Sequence, residues 1–156
     1  MYLGIDCSTQ SLKLFVINDQ KVLVKQAIVV FDDDLPEYKT KSGVIRITNE
    51  ESKDKMEHVC APTVLFIDAL ELCLMKIKTE GLDLSTIKAI AGSAQMHGTV
   101  WWGKNSNEFL NKTLKNNTGI FNKSLAELFG SAFTLPLPPI WMDTSTSIEC
   151  NEISSG

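Results

Sequence analysis

The first thirty residues carry three short apolar runs, at residues 1–7, 11–17 and 22–31, all of them rich in β-branched side chains. Runs of this length and composition, separated by polar turn residues, are typical of β-strands. The polar connection at residues 18–20 is short enough for a tight turn, so the pattern predicts an antiparallel meander. Residues 22–24 are apolar without alternation, which predicts a strand that is covered on both faces.

A helix is predicted over residues 62–80, where apolar positions recur at helical spacing. Pro62 suits the first turn, where its missing N–H costs little, and Gly81 suits a left-handed cap at the other end. The expected core-facing stripe consists of Phe66, Ile67, Leu70, Leu74 and Ile77, and the expected solvent side of Asp68, Glu71 and Lys78. Further apolar residues widen this arc, which predicts a helix that packs against a sheet.

Residues 84–95 predict a capped turn that leads into a buried strand, and residues 99–102 predict a further strand. The order of meander, helix and strand indicates a mixed α/β sheet with flanking helices. In such sheets, ligands bind at the carboxyl ends of the parallel strands. We therefore expect Asp6 and residues 95–97 to lie on the same rim of the sheet.

The remaining stretches are more polar. The acidic triplet at residues 32–34 predicts a solvated turn, because three neighbouring carboxylates point in different directions and rarely converge on a metal. Residues 44–47 predict a short edge strand, and residues 48–57 an exposed loop. Beyond residue 103 the predicted elements are a short helix at 124–129, an extended proline-containing segment at 133–141 and the beginning of a helix at 145–153.

Composition excludes several classes of protein. With 156 residues, 44% hydrophobic and 22% charged, the chain has the size and balance of one soluble globular domain. A net charge of −4, without a run of Lys and Arg, argues against nucleic-acid binding. Acidic residues interrupt the longest apolar segment, which argues against membrane insertion. Four cysteines without CxxC spacing, and no signal-like opening segment, favour free thiols and a cytoplasmic location.

The polar turn between the first two predicted strands is the strongest candidate for chemistry. Asp6 ends a strand and can hold Mg²⁺ through water, since this cation prefers oxygen ligands and keeps its waters. The hydroxyls of Ser8, Thr9 and Ser11, together with turn N–H groups, can form an anion-binding concavity, and Lys13 adds a positive charge. The alternative is an ordinary hairpin with a polar loop, because these residue types are common in turns.

Four stretches, in order along the chain, resemble motifs of one family. Residues 3–13, Leu-Gly-Ile-Asp-Cys-Ser-Thr-Gln-Ser-Leu-Lys, resemble the first phosphate loop of the FGGY carbohydrate kinases, members of the actin-like ATPase superfamily. The Asp-x-Ser-Thr-Gln pattern, with Ser8 where many superfamily members have Gly, is similar to that of the eukaryotic-type xylulokinase branch. The other stretches are Phe-Asp-Asp-Asp-Leu-Pro-Glu-Tyr at 31–38, Gln-Met-His-Gly at 95–98 and Pro-Ile-Trp-Met-Asp-Thr-Ser at 139–145.

This resemblance implies a ribonuclease H-like, actin-like ATPase domain, an α/β fold with a mixed sheet, an antiparallel meander and flanking helices. It also implies transfer of the γ-phosphoryl group of ATP to the 5-hydroxyl of D-xylulose, with Mg²⁺. The family's catalytic Asp and most of its ATP-binding domain lie downstream of residue 156. We therefore expect residues 1–156 to form a single, incomplete amino-terminal domain that is inactive without the carboxy-terminal domain of the same enzyme.

The resemblance also assigns residues. The implied sugar contacts are His97, Gln95, Met96 and Trp141, and Asp143 joins them as a candidate because a carboxylate accepts hydrogen bonds from sugar hydroxyls. The implied ATP contacts are Ser8, Thr9, Gln10, Ser11 and Lys13, and Asp6 is implied for Mg²⁺. From the residues alone, a lone histidine such as His97 is more often structural, and Trp141 can equally fill the core under the sheet. Two functional alternatives stay open: another FGGY kinase, for ribulose, glycerol or gluconate, or a non-catalytic sugar-binding or interaction module.

Overall fold

The computed structural model of the chain describes residues 1–48, 57–115 and 123–156. Its strands are β1 (Tyr2–Cys7), β2 (Ser11–Ile17), β3 (Leu23–Val30), β4 (Ile45–Thr48), β5 (Glu57–Cys60) and β6 (Ala89–Ala94). Its helices are α1 (Phe31–Asp34), α2 (Thr63–Thr79), α3 (Ser106–Lys115), α4 (Leu125–Phe129) and α5 (Ser147–Ser155). Short 3₁₀ turns lie at Pro36–Tyr38, Leu84–Thr86 and Gly130–Ala132.

The main sheet has the strand order β3-β2-β1-β6. β2 is antiparallel to both β1 and β3, so the predicted meander is confirmed, whereas β6 is parallel to β1. The register pairs Asp6 of β1 with Lys13 of β2 and with Ser93 of β6. Because side chains alternate between the faces of a sheet and paired residues share a face, these three polar groups lie side by side.

α2 covers the opposite face of the sheet and forms the core with it. Its predicted ends are confirmed, since it starts after Pro62 and stops before Gly81, which has a φ of +89°. The innermost residues of α2 lie four positions apart and are Leu65, Ala69, Cys73 and Ile77. Of the residues predicted to face the core, only Ile77 is among these four. When a helix is apolar over a wide arc, its sequence does not show which residues lie at the middle of the buried face. Small Ala69 and Cys73 allow a close approach, and the Cys73 thiol donates to the carbonyl of Leu12 at 3.4 Å.

Two predictions of burial are wrong. Val22, Leu23 and Val24 are 58%, 50% and 42% exposed, and all six residues of β6 are exposed. β6 is exposed because it is the edge strand on the side away from α2, which packs mainly over β2 and β3. β3 is the other edge strand, and only Ala27 and Val29, in its later part, are buried. Residues 99–102 do not form the predicted strand. Trp102 instead makes one bridge to Phe133, with the ring centroids 4.7 Å apart.

A second, two-stranded sheet joins the later part of the chain to the earlier part. The predicted strand at residues 44–47 is confirmed as β4, and its partner β5 begins within the predicted loop at 48–57, of which residues 49–56 lie outside the described residues. Residues 136–140 run beside β5, with a hydrogen bond of 3.1 Å from the Ile140 N–H to the Val59 carbonyl. A small core of Val44, Val59, Ala61 and Ile140 seals this junction.

The acidic triplet is not the predicted solvated turn, because it forms α1 and two of its carboxylates hold neighbouring groups. Asp34 accepts from the Lys76 ammonium at 2.9 Å and from the Val30 N–H at 2.7 Å. Asp32 accepts from three groups of residues 40–43. These hydrogen bonds fasten the chain after β3 onto α2 on one side and onto residues 40–43 on the other.

The later helices are partly as predicted. α4 is confirmed with a capping box between Ser124 and Glu127, and α5 confirms the helix expected near the end of the chain. α3 was not predicted, since its Asn-rich and Lys-rich sequence reads as loop. None of the helices described here combines the length and the apolar character that a membrane crossing requires.

Candidate functional site

A cleft of about 320 Å³ opens where β1 and β6 end. Its lining comes from three separate parts of the chain: Asp6, Ser8 and Thr9 at the end of β1 and just beyond it, Ala94, Gln95, Met96 and His97 at the end of β6 and just beyond it, and Trp141. The expectation that Asp6 and residues 95–97 share one rim of the sheet is therefore confirmed. Parallel pairing of β1 with β6 is the cause, because it brings the carboxyl ends of both strands to the same edge.

Asp6 is the centre of a small polar cluster on this rim. Its carboxylate accepts from the Ser8 hydroxyl at 3.1 Å and lies 3.5 Å from the Ser93 hydroxyl and 3.7 Å from the Lys13 ammonium. About a third of each partner in the Asp6–Lys13 ion pair is exposed, so the pair adds little to stability and stays accessible. The cluster thus presents one carboxylate, two hydroxyls and one ammonium group to the sheet edge.

Thr9 connects all three parts of the cleft. Its hydroxyl donates to Oε1 of Gln95 at 3.1 Å and accepts from Nε1 of Trp141 at 3.0 Å. Trp141 is 54% exposed. It therefore lies on the wall of the cleft and does not fill the core under the sheet.

His97 has a left-handed backbone with a φ of +55°, which is uncommon for a residue other than glycine. It lies in the turn that follows β6, next to Gly98, and its side chain is exposed in the cleft. A strained residue of this kind at a cleft is the type of outlier that justifies a functional hypothesis. An exposed imidazole on this rim can donate or accept one hydrogen bond from a ligand hydroxyl.

Three of the predicted ATP contacts do not line the cleft itself. The carbonyls of Gln10 and Ser11 accept from the Phe31 N–H at 3.0 Å and the Ser8 N–H at 2.9 Å, so both belong to the hydrogen-bonded frame of the turn. Lys13 lies on β2 beside Asp6, on the same face of the sheet. The structure groups these residues around the cleft, with Asp6, Ser8 and Thr9 facing it.

Asp143 is not brought to the cleft. Its carboxylate is almost buried and accepts from the Val59 N–H at 2.7 Å and from the Ser145 hydroxyl at 2.6 Å. Burial raises the pKa of Asp143, but these hydrogen bonds and the nearby His58 outweigh it and hold the pKa below its usual value. Asp143 therefore fastens the chain after Trp141 onto β5. A sequence motif cannot distinguish this structural role from a contact with a ligand.

The remaining groups near the cleft do not suggest other chemistry. Burial and the charge of Asp6 raise the pKa of the Cys7 thiol to about 11, so Cys7 is not an activated nucleophile. Within residues 1–48, 57–115 and 123–156, no three His, Cys, Asp or Glu side chains cluster as direct metal ligands. A single carboxylate beside hydroxyls still fits Mg²⁺ held through water, which needs only one or two protein ligands.

Sequence reasoning missed two residues that shape the site. Ser93 completes the Asp6 cluster, and strand alternation two residues before Gln95 was the signal that could have identified it. Gly43 lies directly behind the Thr9–Gln10 peptide, where a Cβ atom would come within 2.1 Å of the Thr9 carbonyl oxygen. The Ser-Gly pair at positions 42 and 43 signals a turn, although nothing in the local sequence indicates what the turn packs against.

Comparison with known proteins gives a consistent result for the whole chain. It is 38% identical over 155 residues to xylulose kinase 2 of Arabidopsis thaliana, with 99% of this chain and 26% of the relative covered. It is equally similar to a probable D-xylulose kinase A of Neosartorya fischeri, and 36% identical to D-xylulose kinase A of Aspergillus niger. The chain spans about a quarter of the length of these curated relatives. No family model matches the sequence.

Solved structures show the fold. A crystal structure described as a xyloylose kinase from Brucella ovis matches 99% of this chain with a TM-score of 0.56 at 17% identity. A glycerol kinase from Plasmodium falciparum, solved with ADP, matches the same share with a TM-score of 0.55 at 15% identity. The chain therefore has the fold of these sugar kinases, the actin-like ATPase fold. Over nearly its whole length the chain is therefore similar in sequence to xylulose kinases and in fold to sugar kinases, and it corresponds to about a quarter of the length of these relatives.

Proposed function

We propose that this chain supplies the sugar-binding and phosphate-binding rim of a kinase that transfers the γ-phosphoryl group of ATP to the 5-hydroxyl of D-xylulose. The observation that carries the proposal is the convergence of Asp6, Thr9, Gln95 and His97 on one cleft. Support for D-xylulose comes from the names of the relatives that are similar over 99% of this chain.

The phosphate side of the proposed site is the turn after β1. The hydroxyls of Ser8 and Thr9, with the N–H groups of the turn, would meet the phosphates of ATP, and Lys13 would add positive charge to this end of the sheet. Asp6 would hold Mg²⁺ through water, and the ion would neutralise the charge of the phosphates. Because phosphoryl transfer depends mainly on positioning and charge stabilisation, a turn that orients hydroxyls beside a held Mg²⁺ and Lys13 would suit this role.

The sugar side of the proposed site follows β6. The amide of Gln95 can donate hydrogen bonds to a sugar hydroxyl and accept them from one, and the exposed His97 imidazole can make one directed hydrogen bond. Met96 and the exposed indole face of Trp141 would contact the C–H side of the sugar. Trp141 is joined to Thr9 by a hydrogen bond of 3.0 Å, so the sugar wall and the phosphate turn would meet at this bond.

The isolated 156 residues are proposed to be inactive. Phosphoryl transfer to a hydroxyl requires a carboxylate that takes its proton, and the only carboxylate on the cleft among the described residues is Asp6, assigned here to the metal. Loss of a general base alone lowers the rate by about 10²–10⁴-fold. We propose that the rest of the enzyme supplies both this base and the opposing ATP-binding surface.

The test is a coupled ADP-release assay on the full natural polypeptide that carries these residues, with D-xylulose, D-ribulose, glycerol and gluconate as acceptors. We expect D-xylulose to have the highest kcat/KM. Preference for another acceptor would refute the xylulose assignment, and sugar binding without phosphorylation would favour the non-catalytic module.

His97→Ala tests the sugar side of the same site. We expect the apparent affinity for D-xylulose to fall about 5-fold or more, because a hydrogen bond to a ligand hydroxyl is worth about 1 kcal/mol or more when its partner is left unpaired. His58→Ala is the matched control, since His58 is 52% exposed and lies beside Asp143, away from the cleft lining. Equal sugar affinity in the two variants would remove His97 from the site.

A further inference from the structure

Residues 41–44 form a tight hairpin behind the candidate phosphate turn. Lys41 and Val44 exchange two backbone hydrogen bonds, of 2.9 and 3.3 Å. The two central residues, Ser42 and Gly43, have φ values of +54° and +77°. Two consecutive residues with positive φ are the mark of a type I′ turn, which favours glycine on conformational grounds alone.

Gly43 is required here by space as well as by conformation. An ideal Cβ at this position would lie 2.1 Å from the carbonyl oxygen of Thr9 and 2.7 Å from the Cα of Gln10. Both atoms belong to the backbone, so neither can rotate away as the end of a flexible side chain would. The hairpin therefore supports the Thr9–Gln10 peptide from behind, while the side chain of Thr9 faces the cleft and bonds Gln95 and Trp141.

Asp32 holds the hairpin in this position. Its carboxylate accepts from the Thr40 hydroxyl at 2.6 Å, from the Ser42 N–H at 2.6 Å and from the Gly43 N–H at 3.0 Å. Its neighbour Phe31 donates its N–H to the Gln10 carbonyl at 3.0 Å. α1 is thus bonded both to the hairpin and to the turn that the hairpin supports.

We propose that Gly43 is a positioning residue for phosphoryl transfer, acting through the backbone of Thr9 and Gln10. The absence of a side chain lets the hairpin press against this peptide and fix the orientation of the Thr9 hydroxyl and of the turn N–H groups toward the phosphates. The inference rests on the proposed function, because the groups that Gly43 positions are the proposed phosphate contacts. A methyl group at position 43 displaces the turn without touching any group that binds the sugar.

The test compares Gly43→Ala with Gly81→Ala in the full natural polypeptide. Gly81 is a matched control, because its φ of +89° gives alanine a similar backbone strain while its added Cβ would meet nothing within 4 Å. We expect kcat for D-xylulose phosphorylation to fall about 100-fold in Gly43→Ala, a loss that a displacement of about 1 Å can cause, with the sugar KM changed less than threefold. Gly81→Ala should keep kcat within twofold of wild type. Equal kcat in the two variants, or a rise in sugar KM with unchanged kcat, would overturn the proposal.

A spectroscopic measurement separates this inference from the proposed function. The indole N–H of Trp141 donates to Thr9, so its ¹H–¹⁵N resonance, assigned by its loss in Trp141→Phe, reports on the turn. We expect it to shift in Gly43→Ala and to stay in place in Gly81→Ala. If the wild type is inactive but the resonance shifts in Gly43→Ala, the kinase function is refuted while the support of Thr9 by Gly43 stands. If the resonance does not shift in Gly43→Ala, the support itself is refuted.

Asp32→Asn provides a second variant in case Gly43→Ala does not fold. It adds no atom near Thr9 and weakens the three hydrogen bonds that hold the hairpin. We expect kcat to fall about 10-fold, with the Trp141 resonance shifted in the same direction as in Gly43→Ala. Unchanged kcat and an unchanged resonance in this variant would also overturn the proposal.

Discussion

Thr9→Val is the sharpest test of how the cleft is built, because it removes one oxygen and keeps the shape of the side chain. That oxygen makes the 3.1 Å bond to Gln95 and the 3.0 Å bond from Trp141. A hydrogen bond contributes about 1 kcal/mol net to folding, and here water can replace part of each bond, since Trp141 is 54% exposed. We therefore expect the free energy of unfolding to fall by only about 1 kcal/mol, which is a Tm shift of about 2–4 °C for a domain of this size.

The expected effect of Thr9→Val on catalysis is larger than its effect on folding. The variant loses a proposed phosphate contact and also frees the sugar wall from the phosphate turn. We expect kcat/KM for D-xylulose phosphorylation to fall about 30-fold, which corresponds to about 2 kcal/mol of transition-state stabilisation.

The assay pairs thermal unfolding with steady-state kinetics, and Thr9→Ser is the control because it keeps the hydroxyl. The serine variant should stay within threefold of wild type in kcat/KM. If Thr9→Val also stays within threefold, the hydroxyl does not organise the site. A loss of more than about 4 kcal/mol in folding would show that Thr9 serves the core instead.

Three further predictions concern stability and reactivity. Leu65→Ala, at a fully buried position of α2, should lower the free energy of unfolding in urea by about 2–5 kcal/mol, whereas Met75→Ala, at a site that is 56% exposed, should change it by less than about 0.5 kcal/mol; similar losses would contradict the packing described. Hydrogen bonds hold the folded pKa of Asp143 below its usual value, so its stabilisation is complete above an unfolded pKa of about 4 and is lost as the pH falls through the folded pKa. Asp143→Asn should therefore flatten the acid limb of stability against pH, and an unchanged limb would argue against the bonding described. Ellman's reagent at pH 8 should label exposed Cys150 at once and Cys7 only after unfolding, because burial and the charge of Asp6 raise the pKa of Cys7 to about 11; rapid labelling of Cys7 would contradict this.

Several elements could be predicted because their causes are local. The ends of α2 follow from Pro62 and Gly81, whose backbone preferences act within one turn of the helix. The first three strands follow from β-branched runs and a short polar turn. The shared rim of Asp6 and Gln95 follows from a topological rule about parallel strands, which requires only the order of the elements.

Burial could not be predicted in the same way. An apolar run indicates that a strand can be buried. Whether it is buried depends on where the helices pack on the sheet. The six residues of β6 are exposed because α2 lies over the strands at the other side of the sheet. The predicted core-facing stripe of α2 is off-centre for a related reason. Whether Leu65 or Phe66 lies innermost depends on which side chains of the sheet the helix packs against.

The amino-acid order alone was enough for the meander, the long helix, the polar turn after β1 and the rim that Asp6 shares with His97, because short-range preferences and strand order determine them. It could not indicate that Thr9 bonds a tryptophan 132 positions later, that Gly43 supports the same turn from behind, or that Asp143 bonds β5 and leaves the cleft. Those contacts join segments that approach one another only when two sheets and α2 are packed together. The geometry of these contacts is therefore decided by the tertiary structure, and a sequence motif with the right residue types does not specify it.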